Sequence, residues 1–483
     1  AAALADQGHE VDLVCQERRP EEVEGLLGSG RVRVHRPDIG TVLPVYVADR
    51  YEGFDARPFA ELDDDELAAY VDANVRAVRE VCAAHRPDVA LANHLVMGPA
   101  ILARALGDGV PYAVKVHGSA LEYTVKRDPQ RFLPWAAEGL ARARTVLVGS
   151  RHTAESLWEA MGDPALPART RLGPPGVDVA AFRPRPRAQA AADVAALARA
   201  LQEARPERAT GSAFDRDAAA AGRALGALDA EADRHVAFVG KLIVSKGPDL
   251  LAAAWPLVLA AEPRARLVVV GFGAFREGFE RLVAALAAGD LAAVRDLARQ
   301  GRALEGGPGA PLEHLLAFLD GLEADPAARA AYVEAARALG DRLVAVGRLE
   351  HDELAPLLAL CEAQVVPSTF PEAFGMVAAE AAACGALPVS AAHSGLAEVA
   401  AVLAAGLPPG APSLTFDVGP RAVPELAARL TAWLATPEDA RAPVREALVR
   451  VARERFSWEG VAAGVIAAAL GRHGELPVPP PAS

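Results

Sequence analysis

Three short apolar runs in this chain, HVAFVG, RLVVVG and RLVAVG, each stop at a glycine: Gly240, Gly271 and Gly347. Runs of this length without polar alternation fit strands buried on both faces, the pattern of a parallel sheet covered by helices. A glycine at the carboxyl end of such a strand lets a ligand approach the backbone, and ligands of doubly wound sheets bind at that edge. AQVVPS and ALPVSA extend the series. In the first half, HEVDLVC, RVRVHR, DVALANH, YAVKVHG and TVLVGS alternate with helix-like stretches such as DDDELAAYVDANVRAVREVCAAH. The alternation predicts an α/β protein with parallel sheets. A chain of 483 residues exceeds one ordinary core, so two such domains are expected.

The Pro- and Gly-rich GPPGVDVAAFRPRPR marks the boundary. The expected organisation is an amino-terminal domain over residues 1–178, a helical or flexible insertion over 188–234, and a carboxy-terminal domain over 235–455. The stretch between Gly271 and Gly347 is longer than a strand-helix-strand unit needs, which predicts a helical insertion at about 275–340. A last apolar helix spans 456–472, and the Pro-rich end, 473–483, is expected to be disordered.

Composition narrows the function classes. The net charge of −13 argues against a broad nucleic-acid surface while leaving room for a local basic pocket. Cys15, Cys82, Cys361 and Cys384 form no C-x-x-C pair and sit among apolar residues, which predicts reduced thiols in a cytoplasmic protein. No His/Cys cluster has ligand spacing along the chain, so no metal is expected. The longest uncharged apolar run, LLAAAWPLVLAA, falls short of the roughly 20 residues that cross a bilayer. No strongly basic amphipathic helix is evident, and peripheral contact with the inner face of a membrane is left open.

The chemistry concentrates in STFPEAFGMVAAEAAACGALPVS. Its helix-like run, Ala373 to Cys384, carries a single charge, Glu380, and a lone carboxylate on a buried helix needs a hydrogen-bonding partner. Ser368, Thr369 and Pro371 supply start signals, which puts the first unpaired amides at Phe374, Gly375, Met376 and Val377. A helix start containing Gly is an anion site. Glu380, one to two turns deeper, could accept hydrogen bonds from a ribose diol, and Glu372 would face whatever lies beyond the phosphates. Each glutamate alone has a bland explanation, helix-end electrostatics or an arginine partner. Together they favour a nucleoside diphosphate. Lys241 and Lys246, in VGKLIVSKGPD, would add cations at the same sheet edge, with Arg348 lining the base or phosphate pocket.

FPEAFGMVAAEAAACG, with E-x7-E spacing from Glu372 to Glu380, resembles the signature of retaining family 4 (group 1) glycosyltransferases with the GT-B fold. VGKLIVSKG, VGRLEHDELAPLLALCEAQVVPS, GPPGVDVAAFRP, VHGSALE and ERFSWEGVA resemble further motifs of that family, in the same order. The resemblance implies two Rossmann-like doubly wound domains facing a central cleft, with the terminal helix packing back on the first. It implies a hexosyltransferase that moves a sugar from a nucleoside-diphosphate sugar to a glycan, lipid or small-molecule acceptor, with retention and without a cofactor or metal. Lys241 and Lys246 would hold the diphosphate with the amides of Gly375, Met376 and Val377. Glu380 would bind ribose, Glu372 would meet the sugar at its reacting face, and Arg348 and Leu349 would lie near the base. His117 would act at the sugar and acceptor, with His94 in a similar but weaker position. Lys241 stands where the family usually has Arg, and the family's first strand and Gly-rich loop would precede Ala1. The competing readings are a nucleotide-sugar-binding protein without catalysis and a GT-B nucleotide-sugar epimerase. A hydrolase is disfavoured by the lack of a G-x-S-x-G elbow, and a dinucleotide oxidoreductase by the incomplete GFGAFR.

Overall fold

The computed structural model describes residues 1–17, 21, 23–24, 30–46, 54–205 and 215–480. It divides into two compact units, one of residues 1–176 and 457–483, the other of residues 177–456.

In the first unit, β1 (Val11–Val14) pairs in parallel with β2 (Val32–His35), and β3 (Val42–Val45) with β4 (Asp55–Pro58). β5 (Ala90–Asn93), β6 (Tyr112–Val116), β7 (Thr145–Val148) and β8 (Thr170–Leu172) form a parallel sheet in chain order. β3, β4 and β8 were not anticipated. They are three or four residues long, and TRL and DARP carry none of the apolar run that announces a buried strand. The helix Asp64–His85 starts at a full capping box, with Asp63 accepting from the Glu66 amide and Glu66 reaching back to the Asp63 amide.

The helix Trp458–Ala469 belongs to this unit. Ala467, Ala468 and Ala469 pack on Ala113 and Leu147, and the Thr145 hydroxyl donates to the Ala468 carbonyl at 2.8 Å. Small residues let the helix lie close to β6 and β7. The segment after it was expected to be disordered. Instead, His473–Glu475 form a 3-10 turn, Leu476 is buried, and the Leu172 amide donates to the Pro477 carbonyl at 2.8 Å. An apolar anchor and a backbone bond outweigh the loop-like composition. Residues 481–483 lie outside the described residues.

The second unit holds one six-stranded parallel sheet: β9 (Arg234–Val239), β10 (Ala265–Val270), β11 (Leu343–Gly347), β12 (Ala363–Val366), β13 (Leu387–Ala391) and β14 (Thr415–Phe416). Its order is β11-β10-β9-β12-β13-β14. The chain runs outward from β9 to β11, then returns to start again beside β9. That reversal is the switch point at which open α/β sheets leave a crevice.

Helix Pro248–Ala261 is apolar all round because it is covered all round: Trp255 is fully buried, and Tyr332 of the insertion donates to the Ala253 carbonyl at 2.9 Å. The insertion is mainly helical, with helices Arg276–Ala287, Leu291–Gln300, Glu313–Ala324 and Pro326–Ala336, and a 3-10 turn and a short Gly301–Ala310 bridge between the second and third. No described helix is long and apolar enough to cross a membrane. Cys361 and Cys384 are buried, Cys15 and Cys82 half-buried, and none is disulfide-bonded.

The polar centre of this unit is Glu362, buried immediately before β12. It accepts from Arg187 at 2.9 Å, from Arg441 at 2.9 Å and from Arg445, and its carbonyl accepts from the Trp433 indole. Arg441 is itself buried. Removing one partner of a buried charge network leaves the other uncompensated. Glu362→Ala is therefore expected to cost about 3–5 kcal/mol of stability, read from the midpoint of urea unfolding followed by tryptophan fluorescence.

Candidate functional site

Five of the six strand ends of the second unit are followed by loops that pack on one another. Gly240, Gly271 and Gly347 follow β9, β10 and β11 or close them, and their backbones interlock: the Gly240 amide donates to Val270, and the Gly271 amide to Gly347. A Cβ on Gly271 would lie 2.4 Å from the Gly240 carbonyl oxygen, so glycine here serves loop-to-loop packing. The loop after β9 is also sewn to the loop after β12. The Thr369 amide donates to the Ser245 carbonyl at 2.9 Å. Gly247 sits at φ +66°, where a Cβ would fall 2.0 Å from the Pro367 carbonyl oxygen.

Across this seam the Lys246 ammonium bonds the Glu372 carboxylate. Ser368 donates its hydroxyl to the same carboxylate at 2.6 Å, and the Glu372 amide donates to the Ser394 hydroxyl at 2.8 Å. Glu372 is thus held at side chain and main chain. Lys241 lies exposed just beyond Gly240 on the same loop.

The helix expected from Ala373 begins later, at Met376, with Gly375 as its cap. The cause is tertiary. The Glu372 carbonyl accepts from the Gly395 amide, and Gly395 packs so close that a Cβ would meet Ala373 and Phe374 backbone at 2.7 Å. These contacts keep residues 372–375 out of the helix. Ala378 and Ala379 both donate to the Gly375 carbonyl at 3.1 Å, so the amides of Met376 and Val377 precede the first intrahelical bonds. Phe374, half-buried, sets its ring edge-on to Phe456.

Glu380 lies one turn into this helix and is buried. Its partner is His351, whose Nε2 is 2.8 Å from Oε1 and whose ring packs on Phe182. The hydrogen bond to Glu380 raises the imidazole pKa above its ordinary value. His351 was not anticipated, because its partner is 29 residues away and no local pattern links them. Arg348, after Gly347, reaches Glu350 at 3.1 Å and lies over the Phe272 ring at 5.4 Å; Leu349 is buried beside it.

Both insertions reach these loops. Arg216 bonds Glu353 at 2.6 Å, beneath the Arg348–His351 segment. Glu305 accepts from the Val244 amide at 2.8 Å, in the lysine loop. Behind that loop Asp249 is fully buried, and burial pushes its carboxyl up to about 7, with Glu305 adding to the rise and the Asp249 and Leu250 amides opposing it.

In the first unit, His117 and His94 stand at the ends of β6 and β5 with ring centroids 4.7 Å apart. His117 Nε2 is 3.1 Å from Asn93 Oδ1, and His94 stacks on Tyr46 at 4.1 Å. Burial lowers both imidazoles to about 4, His117 further through Lys115 and His94 through His117, so both are neutral at pH 7. Burial also lowers the Lys115 ammonium to about 8.

Residues 1–176 match the family model described as the glycosyl transferase 4-like domain, and residues 328–447 that of glycosyl transferases group 1. A curated relative, the D-inositol 3-phosphate glycosyltransferase of Segniliparus rotundus, is 26% identical over 301 residues, 62% of this chain and 46% of that protein; the match spans less than half of the relative. Among solved structures, sucrose-phosphate synthase of Thermosynechococcus elongatus aligns with a TM-score of 0.56 at 19% identity, over 98% of this chain and 91% of that one. Anabaena HepE in complex with UDP aligns with a TM-score of 0.53 at 17% identity, over 96% of this chain and 100% of that one.

Two outcomes test this geometry. Gly247→Ala combines a positive φ with a carbonyl clash and is expected to lower stability by about 1–3 kcal/mol, measured by chemical unfolding. Asp249 binds its proton more tightly in the folded chain than in the unfolded one. Its contribution is complete below the unfolded value of about 4 and is lost as pH rises towards 7. Asp249→Asn keeps an acceptor for the two amides, so its stability should decline less than wild type between pH 5 and pH 8.

Proposed function

We propose that this chain, which belongs to the glycosyl transferase 4-like and glycosyl transferases group 1 families and has the two-domain α/β fold of GT-B glycosyltransferases, moves a sugar from a nucleoside-diphosphate sugar to an acceptor with retention of configuration. The observation that carries the reading is the convergence of Lys246, Glu372 and the Met376–Cys384 helix start at the switch point of one sheet.

The diphosphate lies against the amides of Gly375, Met376 and Val377, with Phe374 beside them, where backbone donors and helix dipole favour an anion. Lys241 and Lys246 offset the charge that grows on the departing diphosphate, which needs no metal in that role. Lys246 exchanges Glu372 for phosphate, and Glu372, still held by Ser368 and Ser394, turns its carboxylate to the sugar. Glu380 takes the ribose diol in place of His351, and Arg348 flanks the base. His117 serves the acceptor side on the strength of its VHGSALE loop. The sugar belongs to the hexose class, and UDP is the first nucleotide to try, since HepE was crystallised with it.

Calorimetry with UDP, GDP and ADP, followed by a donor screen by mass spectrometry, tests the proposal. Glu380→Ala is expected to weaken nucleotide binding by about tenfold or more, the worth of a hydrogen bond to a charged group. Glu372→Ala should cut turnover more than affinity. Normal transfer by both variants would sink the site assignment, and nucleotide binding without any sugar release would favour a binding protein over an enzyme.

A further inference from the structure

Sequence spacing shows no metal-ligand motif, yet the fold assembles one set of ligand atoms from three separate elements. Asp12 on β1, His35 on β2 and His85 at the end of helix Asp64–His85 bring one carboxylate oxygen and two ring nitrogens within 4.8 Å of one another. His35 Nε2 lies 2.8 Å and His85 Nδ1 2.6 Å from the same oxygen, Asp12 Oδ1. The geometry points to a binding site for a divalent transition-metal ion of the zinc type, held by Asp12, His35 and His85 in the amino-terminal unit.

The donor chemistry selects the ion. Two imidazoles and one carboxylate suit zinc, cobalt or nickel, whereas magnesium and calcium favour all-oxygen shells. Both imidazoles already converge on one oxygen of the Asp12 carboxylate, which leaves the three donor atoms on a common centre. Arg33 grips the carboxylate through Nε on Oδ1 at 3.0 Å and Nη2 on Oδ2 at 3.3 Å. An outer partner of this kind fixes a ligand's orientation, though its positive charge lowers cation affinity.

A zinc ion about 2.0–2.1 Å from each ligand sets the ligands about 3.3 Å apart in tetrahedral geometry, so the present 2.6–2.8 Å contacts need to open by about half an ångström. Neutral imidazoles only move a proton from the nitrogen facing Asp12 to the other ring nitrogen, and a metal–nitrogen bond replaces each hydrogen bond. A protonated ring releases its proton, which makes binding weaker in acid.

A cavity of about 600 Å³ borders both imidazoles. Arg36 and Arg76 line it together with Asp38 and Glu80, so charges of both signs face it. It gives the ion an entry path and leaves room for water to complete the shell, as in sites with three protein ligands. The consequence is mechanical. β1 and β2 pair only with each other among the described strands, and a metal would clip this ribbon to the helix Asp64–His85. The site has no part in the proposed sugar transfer and does not rest on it.

Untagged full-length protein, stripped with chelator, tests the inference. Zinc is expected to bind at one ion per chain and to raise Tm progressively, with the logarithm of its concentration once the site is saturated, while magnesium does neither. Cobalt should give the intense visible absorption of a four- or five-coordinate ion, a readout of wild-type protein that no misfolded variant can confuse. His35→Gln with His85→Gln should weaken zinc binding by more than about tenfold while leaving the metal-free far-ultraviolet dichroism unchanged. A cobalt spectrum like that of the aqueous ion, or zinc binding that survives the double substitution, would overturn the proposal.

Discussion

The carboxy-terminal unit depends on a seam between two loops, one after β9 and one after β12. The strands are neighbours because the chain reverses its strand order there, so their loops emerge side by side. Gly247 against Pro367 and Thr369 on Ser245 set the spacing with backbone atoms alone. The Lys246–Glu372 pair then forms across a gap that is already fixed. A half-exposed ion pair contributes little to stability in water, and its value here is positional: with the backbone gap fixed, one lysine is enough to hold the Glu372 carboxylate in place. The same economy explains why the helix waits until Met376. Four residues spent outside the helix carry Glu372 to the seam and place the first helical amides directly after it in the chain.

The two insertions are more than spacers. Each places a partly or fully buried charge under a loop of the site, Glu305 on the Val244 amide and Arg216 on Glu353. Each insertion also packs on the shared core, so its charge arrives on a rigid support. Asp249 marks the cost of this crowding: a carboxyl buried near Glu305 stays protonated well above its ordinary range. A proton held in this way lets a polar group remain in the interior without a counter-ion.

Most of the sheet was legible because buried parallel strands announce themselves through uninterrupted apolar runs, as in HVAFVG and RLVVVG. β3, β4, β8 and the two-residue edge strand β14 were not, since short segments such as DARP owe their state to neighbours. The two glutamates stood out because a charge in an alanine-rich run has to be explained locally. His351 did not, because an exposed histidine in a polar stretch acquires its meaning only when the fold carries it to Glu380. The same holds for Asp12, His35 and His85, which are 23 and 50 residues apart and meet on no common periodicity. The helix start was misjudged for the opposite reason: Ser368, Thr369 and Pro371 are good start signals, and Ser394 and Gly395 override them by bonding the Glu372 backbone.

The helix Trp458–Ala469 closes the amino-terminal unit although it is made after the carboxy-terminal unit. During vectorial synthesis, the faces of Ala113 and Leu147 leave the ribosome about 320–360 residues before the alanines that cover them, a wait on the order of 15–70 s at typical elongation rates. Throughout that interval the nascent unit presents a bare apolar strip, and the entire carboxy-terminal unit is translated in the meantime. The amino-terminal unit thus begins before the carboxy-terminal unit and is finished after it, so its native state requires that the intervening unit has already been made.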